Sequence, residues 1–316
     1  MEGSDEEVSK YRNVPIKWFG WWQTVLGSLG LPLKDPPSKE VLLTLEGGDR
    51  LSCWDSVPPS WKNGDLIVIL VHGMAGSYRS RYIVRLARAL YSKGTRVFRV
   101  NLRGCGTGAG IARLPTNAGA SEEPLAAIQY VKKVAPDSIL RIVGFSMGGN
   151  IVLKMLGEQG WRIVDKAVVV CPGVDPMDCC LHLEKKGMQL ILKSYLKALF
   201  RQVRKTPGAP KLDTRNIKTL MQFDTVYTSA ELGFENVQAY YEHSRAGNYI
   251  ERIVVPTVIL YAKDDPVAGY RSIEELACPE CVTRVRTEHG GHMGFLSCSL
   301  THFRWMDNFI VSQVLG

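Results

Sequence analysis

The chain of 316 residues lacks the long apolar run that would anchor it in a membrane. Its most apolar early stretch, residues 18–33, is too short to span a bilayer and is interrupted by glycines and by Pro32. The acidic start, residues 1–7, lacks the charge pattern of a secretory signal. The composition, 45% hydrophobic and 22% charged, is that of a soluble globular protein. We therefore expect a cytoplasmic protein.

Motifs for nucleotides, metals and redox chemistry are also lacking. Four alternating glycines between residues 104 and 110 match neither the dinucleotide-binding pattern nor the phosphate-binding loop. Cys278 and Cys281 form a C-x-x-C pair, but no second pair lies at the spacing of a zinc site. The eight cysteines are interpreted as reduced thiols. The sequence therefore predicts neither a cofactor nor a bound metal.

The most informative motif is GFSMGGN, residues 144–150. It follows an apolar run, residues 139–143, and precedes a helical pattern, which is the context of a G-x-S-x-G nucleophile elbow. Gly144 and Gly148 lack the Cβ atoms that would collide in so tight a turn. Ser146 would stand at a helix N-terminus, where free backbone N–H groups can bind developing negative charge. The motif predicts a nucleophilic serine.

Candidate partners of Ser146 follow it in the chain order Ser, Asp, His. Asp264 and Asp265 come directly after a β-branched and aromatic run that predicts a buried strand. His289 and His292 lie in a glycine-rich loop after the next alternating run. Because side chains at the carboxyl ends of parallel strands meet at one edge of the sheet, an acid and a histidine can reach the serine there.

Strands and helices alternate along most of the chain, which predicts an α/β fold with a mostly parallel sheet covered on both faces. The alternation stops after residue 171 and resumes at residue 254, and the intervening segment is predicted to be helical and to cap the site. We predict an N-terminal arm (1–40), a core in two parts (41–171 and 246–316) and a helical cap insertion (172–245). Predicted strands are 41–45, 50–54, 66–71, 96–100, 139–143, 166–170, 258–262 and 282–287; predicted helices include 82–91, 124–134 and 300–314.

Positive charge is concentrated in the predicted cap. Between residues 184 and 218 there are ten basic and two acidic residues, a surplus equal to the net charge of +8. One predicted helix separates a basic stripe from an apolar face. The stripe is Lys186, Lys193, Lys197, Arg201 and Arg204, and the apolar face is Met188, Ile191, Leu192, Tyr195 and Leu199.

This stripe leaves two interpretations open. It could contact an anionic membrane surface or an anionic substrate, or it could be the solvated face of an ordinary lid helix. Nucleic acid is not expected as a partner, because no aromatic residues are interleaved with the basic ones and no reader motif is present. The aromatic cluster of Trp18, Phe19, Trp21 and Trp22 could also dock on a membrane, although we favour packing of the arm onto the core.

Taken together, the motifs resemble the α/β-hydrolase superfamily and, within it, the YheT-like branch of esterases. The resemblance covers roughly residue 39 to the C-terminus. It rests on residues 72–77, 101–105, 144–150, 223–241, 262–266 and 290–295. It implies an eight-stranded sheet with a helical cap and a Ser–Asp–His triad.

The resemblance assigns roles by position. Ser146 matches the nucleophile, and Asp265, directly before a proline, matches the acid better than Asp264 does. His292, within Gly-Gly-His-x-Gly-Phe, matches the base, whereas His289 does not.

The resemblance also implies that the backbone N–H groups of Met74 and Met147 form the oxyanion hole. One departure concerns residues 116–123, where the branch usually carries a histidine and an aspartate and this chain has neither. The departure puts substrate preference in doubt and leaves the triad untouched.

We therefore expect a serine hydrolase that cleaves a small-molecule carboxylic ester, lipid-like or with a short-to-medium acyl chain, through an acyl-enzyme and without a cofactor. Alternatives are an acyltransferase or thioesterase with the same triad, a non-catalytic binding protein on the same fold, and a membrane-surface adaptor.

Overall fold

A computed structural model describes residue 11 and residues 19–28, 33–299 and 303–316. Its strands are β1 (Lys39–Thr44), β2 (Arg50–Ser56), β3 (Ile67–Val71), β4 (Arg96–Val100), β5 (Leu140–Phe145), β6 (Lys166–Val170), β7 (Thr257–Ala262) and β8 (Val282–Thr287). They form one sheet in the order β1-β2-β4-β3-β5-β6-β7-β8. β2 pairs antiparallel with β1 and β4, and all other pairs are parallel. The mostly parallel eight-stranded sheet is confirmed.

The described residues also form helices, including those that cover the two faces of the sheet. They are α1 (Phe19–Ser28), α2 (Arg81–Tyr91), α3 (Glu122–Val134), α4 (Met147–Gln159), α5 (Pro176–Glu184), α6 (Gln189–Val203), α7 (Leu220–Phe223), α8 (Ser229–Glu231), α9 (Val237–Ser244), α10 (Tyr270–Glu274) and α11 (Trp305–Leu315). A π-helical turn, Asp224–Thr228, joins α7 to α8.

The central strand β3 explains why two layers form. All five of its side chains are buried, and Ile67, Ile69 and Val71 belong to one hydrophobic cluster with α3 and α4. Val68 and Leu70 belong to a second cluster with α2 and α11. Because successive side chains of a strand point to opposite faces, an unbroken apolar run requires a helical layer on each side.

Several predicted boundaries differ from the observed ones by a few residues. α3 begins two residues before the predicted Pro124, which still lies in the first turn, where its missing N–H costs no hydrogen bond. β7 begins at Thr257, one residue before its predicted start, directly after Pro256, which cannot donate to a strand ladder. α11 begins at Trp305, and Leu300, the predicted start, lies outside the described residues.

Helices α5 to α9 lie between β6 and β7, and no residue from 171 to 256, all of them described, is in a strand. These inserted helices share a third hydrophobic cluster, which includes Leu192, Leu196 and Leu199 of α6. The apolar face of this helix therefore packs inward as predicted, although Leu196 was not assigned to it. Lys186 of the predicted stripe precedes α6, because Gly187 (φ +96°) separates it from the helix.

The aromatic residues of the N-terminal arm differ in their exposure to solvent. Trp21 packs against the third hydrophobic cluster, whereas Trp22 is 41% exposed. Trp18 and the side chain of Phe19 lie outside the described residues. In the part of the chain that the structure describes, every helix falls short of the length and hydropathy needed to cross a bilayer.

Candidate active site

The turn between β5 and α4 holds Ser146 in a strained backbone conformation, with φ 52° and ψ −121°. A non-glycine residue rarely adopts positive φ, and such strain persists where the surrounding structure enforces it. A Cβ on Gly144 or Gly148 would approach backbone atoms closer than 3.0 Å, those of Gly148 and His72 respectively. Only glycine fits at these two positions, so the turn can present the serine at its tip.

Ser146, His292 and Asp265 form a continuous chain of hydrogen-bonding contacts. The Nε2 atom of His292 lies 2.8 Å from the Oγ atom of Ser146, and its Nδ1 atom lies 2.9 Å from the Oδ2 atom of Asp265. The Oδ1 atom of Asp265 accepts hydrogen bonds from the backbone N–H groups of Val267 and Ala268 at 2.8 and 2.9 Å. With Nδ1–H donated to the carboxylate, Nε2 is free to accept the serine proton.

The neighbouring acid and histidine pair with each other instead. The Nδ1 atom of His289 lies 3.2 Å from the Oδ2 atom of Asp264, whose Oδ1 atom accepts a hydrogen bond from the N–H group of Gly291 at 2.9 Å. Asp264 and His289 therefore shape the loop that carries His292.

Helix α1 clamps this histidine loop, a contact that sequence reasoning missed. The amide of Gln23 donates to the carbonyl of Leu296 at 3.1 Å and accepts from its N–H group at 2.7 Å. The hydroxyl of Thr24 accepts from the N–H group of His292 at 2.8 Å. A Cβ on Gly294 would approach the backbone of Gln23 closer than 3.0 Å, so helix and loop meet backbone to backbone. The one feature of the sequence that could have indicated this close contact is the number of glycines in the loop.

The loop after β3 lies against the serine. The Nε2 atom of His72 accepts a hydrogen bond from the N–H group of Leu102 at 3.2 Å, so Nδ1 carries the proton and donates to the carbonyl of Gly73 at 2.7 Å. Burial lowers the pKa of His72 to about 4, which keeps the ring neutral. The N–H group of Gly73 donates to the hydroxyl of Tyr82 at 3.0 Å. These bonds fix the backbone that leads to Met74.

Both predicted oxyanion donors border the same space as Ser146. A cavity of about 70 Å³ is lined by Met74, Met147, Ser146 and His292. Met147 is the first residue of α4, so its N–H group is among the four that lack an acceptor within the helix.

The opposite wall of this cavity is apolar and comes mainly from the inserted helices, including Pro176, Leu183, Leu199, Leu220 and Phe223. No lysine or arginine is found among its described lining residues, and Asp224 is the one carboxylate. The hydroxyl of Tyr241 donates to the Oδ2 atom of Asp224 at 2.9 Å. Burial raises the pKa of Asp224 to about 6.

Among the described residues, one set of side chains has donor atoms close enough for a metal ion. The Sγ atom of Cys171 lies within 4.8 Å of ligand atoms of Asp265 and His292. Burial raises the pKa of the Cys171 thiol well above its ordinary value, and the thiolate is the form that binds metals. The carboxylate is already engaged by His292 and two backbone N–H groups. These donors fit the hydrogen-bonded chain better than a metal centre.

Comparisons with known proteins agree with this architecture. A family model described as "Serine aminopeptidase, S33" matches residues 62–288. The chain is 28% identical over 280 residues to "Putative esterase YheT" of Escherichia coli (strain K12), covering 85% of this chain and 82% of that protein.

Two further similarities are weaker, one in coverage and the other in sequence identity. The chain is 33% identical over 215 residues to "Monoacylglycerol lipase ABHD2" of Bos taurus, covering 59% of this chain but only 50% of that protein. Among solved structures, the Pyrococcus furiosus esterase Pf2001 superposes with a TM-score of 0.57 at 18% identity, covering 88% of this chain and 92% of the other. This last likeness shows the fold alone.

Proposed function

Because this chain belongs to the α/β-hydrolase superfamily, as the matched family model and the similarity to YheT indicate, we propose that it is a serine hydrolase acting on carboxylic esters. The observation that carries the proposal is the contact of the Ser146 hydroxyl with the His292 imidazole at 2.8 Å, with Asp265 bound to the other ring nitrogen. Membership in the superfamily supports hydrolysis as the class of reaction, and the contacts at the site support the roles that we propose for the three residues.

In the first half of the proposed reaction, the Oγ atom of Ser146 attacks the ester carbonyl carbon and its proton passes to Nε2 of His292. Asp265 holds the ring in the required tautomer and stabilises the imidazolium. The backbone N–H groups of Met74 and Met147 bind the oxyanion of the tetrahedral intermediate, and loss of one such donor typically costs ~3 kcal/mol. The C–O bond to the alcohol then breaks, and His292 returns the proton to the departing oxygen.

In the second half, water attacks the acyl group on Ser146 while His292 accepts a proton from it. The bond between the carbonyl carbon and the serine oxygen breaks, the serine regains its proton, and a carboxylic acid is released. No step requires a metal or an organic cofactor.

The substrate class follows from the walls of the cavity. An apolar wall without a cation favours a neutral ester with an apolar acyl chain, because a buried carboxylate such as that of Asp224 repels a second negative charge. The names of the relatives, an esterase and a monoacylglycerol lipase, fit such a small-molecule ester.

Labelling with a fluorophosphonate probe tests the proposal. Wild-type protein should be labelled, and Ser146→Ala should not. Hydrolysis of p-nitrophenyl esters of increasing chain length then defines acyl preference. Equal labelling of both proteins would remove Ser146 from the mechanism.

We further propose that the basic side of α6 brings this otherwise cytoplasmic enzyme into peripheral contact with anionic membranes. Lys193, Lys197 and Arg201 are exposed on this helix, and Leu190 beside them is 69% exposed. Liposome sedimentation should increase with anionic lipid content and fall with salt. Sedimentation that depends on neither would contradict the proposal.

A further inference from the structure

A second, larger groove runs along the inserted helices, away from the cavity at Ser146. It lies between α6 and the segment that leads to α7, has a volume of about 440 Å³, and shares no lining residue with that cavity. Its apolar surface is formed by Leu192, Leu196 and Ile217, which are buried, and by Phe200, which is half-buried.

Four exposed cations surround this apolar surface: Lys193, Lys197, Arg204 and Lys218. None of the residues that line the groove, all of them described, is acidic. The one acid in the segment between α6 and α7, Asp213, is paired with Arg215 through a contact of 2.9 Å. Like charges gathered around one concavity repel each other, and a bound anion relieves that repulsion.

The groove therefore has the opposite electrostatic character to the cavity at Ser146, which contains Asp224 and no lysine or arginine among its described lining residues. A ligand that suits the groove has an apolar chain for the leucine surface and a negative head for the lysines. A flat bilayer would contact the exposed rim but would not fill a concave surface whose leucines are buried.

We propose that this groove binds a single long-chain carboxylate, the class of compound that an ester hydrolase with an apolar acyl pocket releases. The choice of a carboxylate among anionic amphiphiles rests on the proposed function. The presence of an anion-binding apolar groove rests only on the six side chains Leu192, Leu196, Ile217, Lys193, Lys197 and Arg204.

Titration of Ser146→Ala protein with a fluorescent long-chain fatty acid, without vesicles, tests this site independently of turnover. Binding should be saturable, and the double variant Lys193→Glu/Lys197→Glu should raise the Kd about tenfold or more, equivalent to at least ~1.4 kcal/mol. The matched control Lys185→Glu/Lys211→Glu makes the same change in net charge on the same insertion outside the groove, and should change the Kd less than about twofold. The corresponding fatty alcohol should bind at least about tenfold more weakly.

Three results would overturn the proposal. Equal loss of affinity in the groove and control variants would mean that only net charge matters. Displacement of the fatty acid by a neutral ester substrate would place it in the cavity at Ser146. Binding to anionic vesicles without binding of the monomer would assign the basic side of α6 to membrane contact alone. Loss of fluorophosphonate labelling in the wild type would contradict the proposed function but leave this titration valid.

Discussion

The two walls of the candidate active site are built in different ways. On the side of the sheet, hydrogen bonds that involve the backbone fix the polar groups: two N–H groups donate to Asp265, and the N–H group of His292 donates to the hydroxyl of Thr24. On the side of the inserted helices, the wall is apolar, and its one carboxylate is held by a tyrosine side chain. Under the proposed function, the reactive groups lie on the wall whose geometry is fixed by hydrogen bonds, and recognition of the substrate belongs to the other wall.

The largest effect on activity is expected from a substitution on the wall that lies on the side of the sheet. Ser146→Ala removes the nucleophile, so kcat for p-nitrophenyl esters should fall about a million-fold. The thermal unfolding midpoint should be almost unchanged, because alanine keeps the Cβ atom and therefore the same backbone strain in the turn. Substantial residual turnover, after purification from an inactive host background, would show that the chemistry lies elsewhere.

Replacement of the acid should be nearly as severe. Asp265→Asn removes the carboxylate that fixes the His292 tautomer, and kcat should fall about ten-thousand-fold with KM little changed. Asp264→Asn is the matched control, since this neighbour binds His289 and Gly291 instead, and it should cost less than about tenfold. If steady-state kinetics show the two variants to be equally impaired, the assignment of the acid is wrong.

The clamp by α1 should have an intermediate effect. Thr24→Val keeps the shape of the side chain but leaves the N–H group of His292 without its acceptor. An unsatisfied buried donor costs ~1–3 kcal/mol. If half of this cost is relieved by a shift of the His292 ring away from Ser146, kcat should fall roughly tenfold at unchanged KM. Trp22→Ala, on the exposed side of the same helix, should leave kcat for a soluble ester unchanged. Equal effects of the two variants would argue against a positioning role for Thr24.

The smallest effect is expected from the wall formed by the inserted helices, and it should appear only as a change in substrate selectivity. Asp224→Asn removes the one carboxylate among the described lining residues of the cavity, so kcat/KM for an ester with a carboxylate on its acyl chain should rise about tenfold. The rate for the neutral ester and the rate of fluorophosphonate labelling should stay within about twofold. Glu231→Gln, an exposed position on α8, is the control. A lower rate of labelling in Asp224→Asn would instead mean that Asp224 takes part in the reaction at Ser146.

The sequence predicted the sheet well, because buried strands leave unbroken apolar runs and the elbow leaves a short motif. β4, β6 and β8 have their predicted bounds. The motif also singled out Ser146, whereas the chain order left two acids and two histidines as candidates, and the resemblance to the family selected Asp265 and His292. These residues are as much as 146 positions apart, so their contact could be expected from a family pattern but not from periodicity.

Features that depend on tertiary packing were beyond sequence reasoning. The clamp of α1 on the histidine loop joins the side-chain amide of Gln23 to the backbone of Leu296 across 273 positions, and a bond to backbone atoms leaves no pattern in the sequence of the loop. The groove beside α6 is likewise invisible in the helical periodicity, because Ile217 and Lys218 come from a separate segment without regular structure.

Trapping of the covalent intermediate tests the central claim most directly. A slowly hydrolysed p-nitrophenyl ester should add one acyl group to the protein, and peptide mass spectrometry should locate it on the segment of residues 144–150, at Ser146. The adduct should be absent in Ser146→Ala and should disappear with time from the wild type as the carboxylic acid is released. An adduct on another residue, or turnover without any adduct, would contradict a mechanism through an acylated serine.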